Sequence, residues 1–293
     1  MIAEDSLTPA QKIALRQSRR QRLRTRLATF PWWLVIVGLI IGATLWLITE
    51  SPTYSEAFAT IRTGMVVTLV ITLISYTISL LIGLFTGLGR VSSNIVSQNI
   101  ATLYVEVMRG IPMLVSIFFI ALVLVPGIIE MLSFLGSKFT EAGLTGIGAS
   151  LANMNTKSIS MSVRAVIALS LTYGAYSAEI FRAGIQSVPI GQMEAARSQG
   201  MSYGQAMRNV VLPQAIRNVL PAIGNDFISM LKDSSLVSIL AVRDITQIAR
   251  LYAGHSFRYP EAYTTLSVMY LTMTMLLSLL VKLLERRLAN NGK

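Results

Sequence analysis

The chain has no cysteine, one histidine and little charge. Without cysteine there is neither a disulfide framework nor a thiolate-ligated metal site. With His255 as the single histidine, no nucleophile–base–acid constellation assembles around an imidazole, and no covalent chemistry is expected. A Gly-x-x-x-x-Gly-Lys-Ser/Thr run is missing too, so the chain has no phosphate cradle of that kind for ATP. Charged residues make up only 13% of the 293 positions, against about a quarter in soluble domains. That is too little polar surface to clothe a water-exposed globule. Disorder is excluded from the other side, because 53% of the chain is hydrophobic and disorder needs low hydrophobicity.

What charge there is leans basic, with a formal net charge of +11. Such an excess fits either nucleic acid or the cytoplasmic flanks of membrane spans, and its placement decides between them. Seven of the 25 Lys and Arg residues precede the first apolar run, from Lys12 to Arg26. The segment Ile13 to Leu27 reads as a basic interfacial helix. Trp32 and Trp33 then open an apolar run to Thr49. A signal peptide is the competing reading, but the nearest small-x-small site, Ala57-Phe58-Ala59, lies far beyond the run.

About 20 apolar residues cross the hydrocarbon core. On that basis six spans are expected: Trp32–Thr49, Gly64–Gly89, Ile111–Ile129, Val163–Gly184, Ile216–Leu240 and Tyr263–Leu284. The fifth is the least apolar. With both termini inside, 17 of the 25 cations flank the inner face and 7 the outer, with Lys232 inside a span. The positive-inside rule therefore favours that orientation and argues against nucleic acid. The last outer loop fits least well, since it holds Arg243, Arg250 and Arg258. Gln98–Met108 reads as an amphipathic segment entering the membrane, and Glu130–Ser160 as an external insertion.

One cytoplasmic loop, within 187–215, is too long and too patterned for a plain connection. Pro189 and Gly191 are expected to stop the preceding helix. Met193, Ala196 and Met207 give short polar helices an apolar side. Gly200 suits a left-handed turn between two helical pieces, and Pro213 closes the segment. Periodicity alone leaves open an interfacial helix pair with no partner.

The spacing Glu194-Ala195-Ala196, three residues, Gly200, then Val210, Leu212 and Pro213 resembles the EAA loop of ABC importer permeases, with Val210 where Ile is usual. Glu106-Val-Met-Arg109-Gly110-Ile111-Pro112 resembles a signature of the polar amino acid (histidine/glutamine-type) permeases, with Ile111 in place of Thr. The runs Ala175–Val188, including Glu179 and Arg182, and Leu212–Leu236 continue that resemblance, which spans about Ile61 to Arg287. The long basic arm and the external insertion depart from it.

The resemblance implies an all-α membrane protein with the six-span, type I (MetI-like) importer bundle, both termini inside. The basic arm would occupy 1–30, the first span and an external link 31–60, the permease domain 61–287 and a tail 288–293. It also implies a permease subunit for a polar or charged amino acid in a bacterial cytoplasmic membrane. The chain itself would hold no cofactor; ATP and Mg would bind a dimeric ATPase inside. A second permease and an extracytoplasmic binding protein complete the expected assembly. Glu194, Ala195, Ala196, Gly200, Leu212 and Pro213 would couple to the ATPase.

Several polar residues admit two readings. Glu179 and Arg182 form an i,i+3 ion pair settling a helix end, or a link from span four to the coupling loop. Asn225, Asp226, Lys232, Asp233, Ser234 and Ser235 sit in span five, where charge is costly. They line the translocation path or clamp helices together. Glu106 and Arg109 pair with each other or brace the loop. His255 reads as a solvated loop residue. Two other function classes compete: a secondary transporter relaying protons through Glu179, Asp226 or Asp233, and a membrane scaffold or sensor.

Overall fold

The structure, a computed structural model, describes residues 32–290, apart from the side chains of 286 and 288–290. The basic arm, with its expected interfacial helix, lies outside the described residues, as does the end of the tail. No strand occurs among the described residues. The helices are α1 (Trp32–Glu50), α2 (Pro52–Ile61), α3 (Met65–Arg90), α4 (Ile95–Gly110), α5 (Met113–Phe119), α6 (Val125–Glu141), α7 (Thr145–Ala152), α8 (Met161–Gln186), α9 (Ile190–Ser198), α10 (Tyr203–Ala206), α11 (Leu212–Asp233), α12 (Ile245–Ser256) and α13 (Tyr259–Asn290).

Four stretches are long and apolar enough to cross a membrane: Trp32–Glu50, Pro52–Arg90, Met113–Glu141 and Tyr259–Glu285. They coincide with expected spans one, two, three and six. The stretches expected as spans four and five are helical, the first as α8 and the second as α11 followed by a 3-10 segment at Ser234–Leu240, but neither is among those four. For α8 the reason lies in its surroundings. Helix α8 runs through the middle of the bundle and buries Arg164, Ser170, Thr172, Tyr173 and Ser177 along with its apolar residues. A helix wrapped in protein need not be apolar all round, because polar groups inside a bundle find partners there.

Helices α3 and α8 form the central pair. Gly83 and Gly87 face α8 with no side chain between: a Cβ on Gly83 would stand 2.5 Å from Ser177 Cβ, and one on Gly87 would stand 2.9 Å from Ala178 O. Small residues thus let two helices approach as lipid-embedded helices commonly do. Around this pair the main core joins Ile71 and Tyr76 of α3, Ile117 of α5, Leu169 and Tyr173 of α8 and Met230 of α11. A second core joins Ala57 and Ile61 of α2, Ile245 and Ala249 of α12, and Leu266 of α13.

Three local expectations are corrected. Helix three does not end at Ile129; it continues through a π-turn at Ile120–Leu124 to Glu141, so the insertion is a helical hairpin, α6 with α7. Hydropathy falls off there while the helix persists, because the hairpin packs on itself, with Ser133 Oγ donating to Ala152 O at 2.9 Å. A π-turn shifts the hydrogen-bond ladder, and Arg164 donates to the Ala121 carbonyl within it, to Ile159 O at 3.2 Å and to Thr156 O. Gly191 lies inside α9 rather than stopping α8; Pro189 provides the break, as the residue capping α9. Pro213 does not close the loop either. It sits in the first turn of α11, where its missing N–H is tolerated, and helix runs on from α10 through a π-turn at Met207–Val211 into α11.

Candidate functional site: the two-helix knob and the polar seam

The patterned loop folds as a knob of two short helices. Helix α9 ends at Ser198, Gly200 turns the chain with φ +83°, and α10 begins after Ser202. Ser202 Oγ accepts from Gln205 N at 3.3 Å while Gln205 Oε1 accepts from Ser202 N at 2.9 Å, a reciprocal capping box. Ala196 is buried, and Met193 and Met207 pack on the cluster of Val188, Val211 and Ala215. Glu194, Ala195, Gly200 and Pro213 remain exposed, and Leu212 is half-buried. Two large residues not singled out from the sequence are exposed on the same unit, Ile190 at 76% and Tyr203 at 56%. The knob is pinned to the bundle where Asn218 Nδ2 donates to Ser187 Oγ at 2.8 Å. Nothing local in the sequence marks that contact.

Above the knob, Arg182 donates to Glu179 and, at 2.5 Å, to Gln186. Glu179 also meets Arg90 of α3 at 2.5 Å, and Arg90 reaches Glu106 of α4 at 3.6 Å. Arg109 lies over the Tyr176 ring, 5.5 Å from its centroid. Thus Glu179 and Arg182 pair along one helix and are also tied to two others. Glu106 and Arg109 turn to Arg90 and Tyr176 rather than to each other. Arg90 ends an apolar run, and no local pattern marks its role as the hub.

The polar residues of α11 and of the 3-10 segment that follows it, Ser234–Leu240, divide between two faces. Asp226 and Asp233 turn toward α8, where Ser177 Oγ donates to Asp226 Oδ2 at 3.2 Å and Tyr173 OH donates to Asp233 Oδ2 at 2.7 Å. Tyr76 OH donates to Ile223 O at 2.5 Å, closing the seam from α3. Neither carboxylate has an ion pair among the described residues. Ser234 is buried and donates to Leu231 O at 2.8 Å, and Ser235 is half-buried. Asn225 and Lys232 are exposed on the other side of the helix. The run Lys232–Ser235 therefore does not present a single lining face. Tyr173 and Tyr76 join the seam from distant sequence positions, and only their spatial neighbours mark them.

A buried polar seam and an exposed two-helix knob suit a membrane subunit that is moved by a partner. Residues 79–290 match the family described as binding-protein-dependent transport system inner membrane component, and the chain belongs to that family. It is 38% identical over 194 residues to the probable amino-acid permease protein YxeN of Bacillus subtilis (strain 168), covering 66% of this chain and 75% of that one. It is 35% identical over 191 residues to the probable glutamine ABC transporter permease protein GlnM of the same organism, covering 65% and 76%. Among solved structures, an amino acid ABC transporter with histidines matches with a TM-score of 0.63 and 37% identity, over 83% of this chain and 97% of that one. The methionine ABC transporter MetNI in an inward-facing conformation shares the fold, with a TM-score of 0.59 at 18% identity. The chain is thus the permease component of an ABC importer, without an ATPase site of its own. None of these relatives is a proton-coupled transporter, and that alternative has no support from them.

Proposed function

We propose that this permease takes up a polar or charged amino acid across a bacterial cytoplasmic membrane. In this reading the chain crosses the membrane six times with both termini inside, as the domain limits read from the sequence require. It pairs with a second permease, with two ATP-binding subunits inside that carry the ATP and Mg, and with a binding protein outside. Glu194, Ala195, Ala196, Gly200, Leu212 and Pro213 form or position the knob that seats in the ATPase. Ile190 and Tyr203 add apolar contact on the same unit. The translocation path runs along the exposed face of α11 that carries Asn225 and Lys232, while Asp226 and Asp233 hold that helix against α8 and Ser234 and Ser235 follow its end. The network of Glu106, Arg109, Glu179 and Arg182, with Arg90 at its centre, braces the inner ends of α3, α4 and α8 so that the bundle answers a push on the knob as a body.

The observation that supports this reading most strongly is the knob itself. It is a capped two-helix unit, buried on one side by Ala196 and the methionines and exposed on the other, and continuous through α10 with α11. A push on it is transmitted along a helix to the polar seam. The test uses the reconstituted importer complex, with ATP hydrolysis and uptake measured together. Gly200→Pro is expected to abolish uptake because Pro cannot adopt a positive φ. Glu194→Lys is expected to lower binding-protein-stimulated hydrolysis and uptake at least tenfold while the complex remains assembled. Full coupling in both variants would remove the knob from the mechanism.

A further inference from the structure

We propose that a cavity between the start of α3 and α12 is an entry subsite that holds the carboxylate of an amino acid reaching the outer face. The proposal rests on the topology and importer role proposed above. The cavity measures about 560 Å³, within the range of small-molecule sites. Its polar wall is Arg243, Thr60, Thr63, Tyr252 and His255, and its remaining wall is the aliphatic Val67, Ile248 and Leu251; His255 lies in the last turn of α12 rather than in a loop. No carboxylate lines it.

The charge of Arg243 is not spent locally. Its guanidinium makes no ion pair and no hydrogen bond among the described residues. Its sequence neighbour Asp244 is buried and turned inward, where its Oδ1 accepts from Gln247 N at 2.8 Å. Glu56 is engaged with Arg258 at 2.6 Å, and Arg258 also reaches OH of the cavity-lining Tyr252 at 3.4 Å. Arg258 thus has an evident structural task, and Arg243 does not. A planar guanidinium matches a carboxylate with two parallel hydrogen bonds. The Thr60 hydroxyl is uncommitted among the described residues and stands on the same wall. Every amino acid carries a carboxylate, so an entry subsite of this kind holds the common group and leaves the choice of side chain to the path below. It also accounts for an arginine in the outer loop that fits the inner-side bias of cations least well.

A phospholipid phosphate carries the same anionic oxygens, so the test separates the two sources. Equilibrium binding of L-glutamine, L-glutamate, L-histidine and L-arginine, and of their carboxamide counterparts, is measured on the assembled complex in nanodiscs of phosphatidylcholine and of phosphatidylglycerol. ATP-driven uptake is measured alongside. Arg243→Gln is expected to raise the dissociation constant of the bound amino acid about tenfold, and Arg243→Lys to restore part of it. The carboxamides are expected to bind weakly and to ignore the substitution, and binding-protein-stimulated ATP hydrolysis is expected to hold. Unchanged amino acid binding in Arg243→Gln would overturn the proposal. So would an effect confined to phosphatidylglycerol retention, or a loss of binding-protein stimulation with amino acid binding intact. If uptake by the unaltered complex ignores ATP while the binding effect persists, the importer reading fails and the subsite stands.

Discussion

Asp244 is 1% exposed, and its Oδ1 caps α12 by accepting from Gln247 N at 2.8 Å. Burial pushes its carboxyl above the usual carboxylate range. A carboxyl raised in the folded state is ionised at a cost, so its contribution to stability falls as pH rises from the usual carboxylate range through the raised value. The cap itself needs only an acceptor oxygen. Asp244→Asn is therefore expected to leave the thermal midpoint at neutral pH unchanged or raised. Asp244→Ala loses the cap and is expected to cost about 1 kcal/mol. Thermal unfolding in detergent checks both, and a large loss in the Asn variant would contradict the account. At this scale the sequence shows which side chains are costly to bury but not who satisfies them. Glu179 and Arg182 are three apart and their pairing is legible. Arg90, which joins them across 89 positions, is not, because only the folded arrangement brings α3 beside α8.

The packing of α3 on α8 is the element-scale feature on which both seam and knob depend. Gly83 and Gly87 stand against α8, whereas nothing lies within 4 Å of a Cβ on Gly38 in α1. Gly83→Val is expected to push α8 away, lowering the thermal midpoint and the yield of assembled complex. Gly38→Val is expected to change neither. Size-exclusion profiles and thermal unfolding decide it, and equal tolerance of the two substitutions would refute the close-packed pair. Helix extents along apolar runs were readable, with α3 within a residue of the expected span. Where a helix outlasts its hydropathy, as in α6, or runs through a π-turn past a proline, as at Pro213, the pattern misleads. Apolar periodicity reports which surface meets lipid or core, and hydrogen-bond continuity leaves no mark on it. The left-handed turn at Gly200 was legible because glycine alone takes that backbone without strain.

For the whole molecule, scarce charge and basic ends pointed to a membrane bundle, and a few motifs to its class. Residues 79–290 match a permease family, and the polar character of α8 follows from its central position rather than from any weakness as a helix. The seam of Asp226 and Asp233 with Tyr173 and Ser177 needed the structure, since its two sides come from helices about fifty to sixty residues apart. The driving force proposed here is a partner ATPase acting on the knob, not protons moving through those carboxylates. The most direct measurement is uptake into sealed proteoliposomes that hold this chain with its ATPase and binding protein. Accumulation of a polar amino acid is expected to require ATP and the binding protein and to survive collapse of the proton gradient by an ionophore. Accumulation that follows an imposed proton gradient and ignores ATP would contradict it.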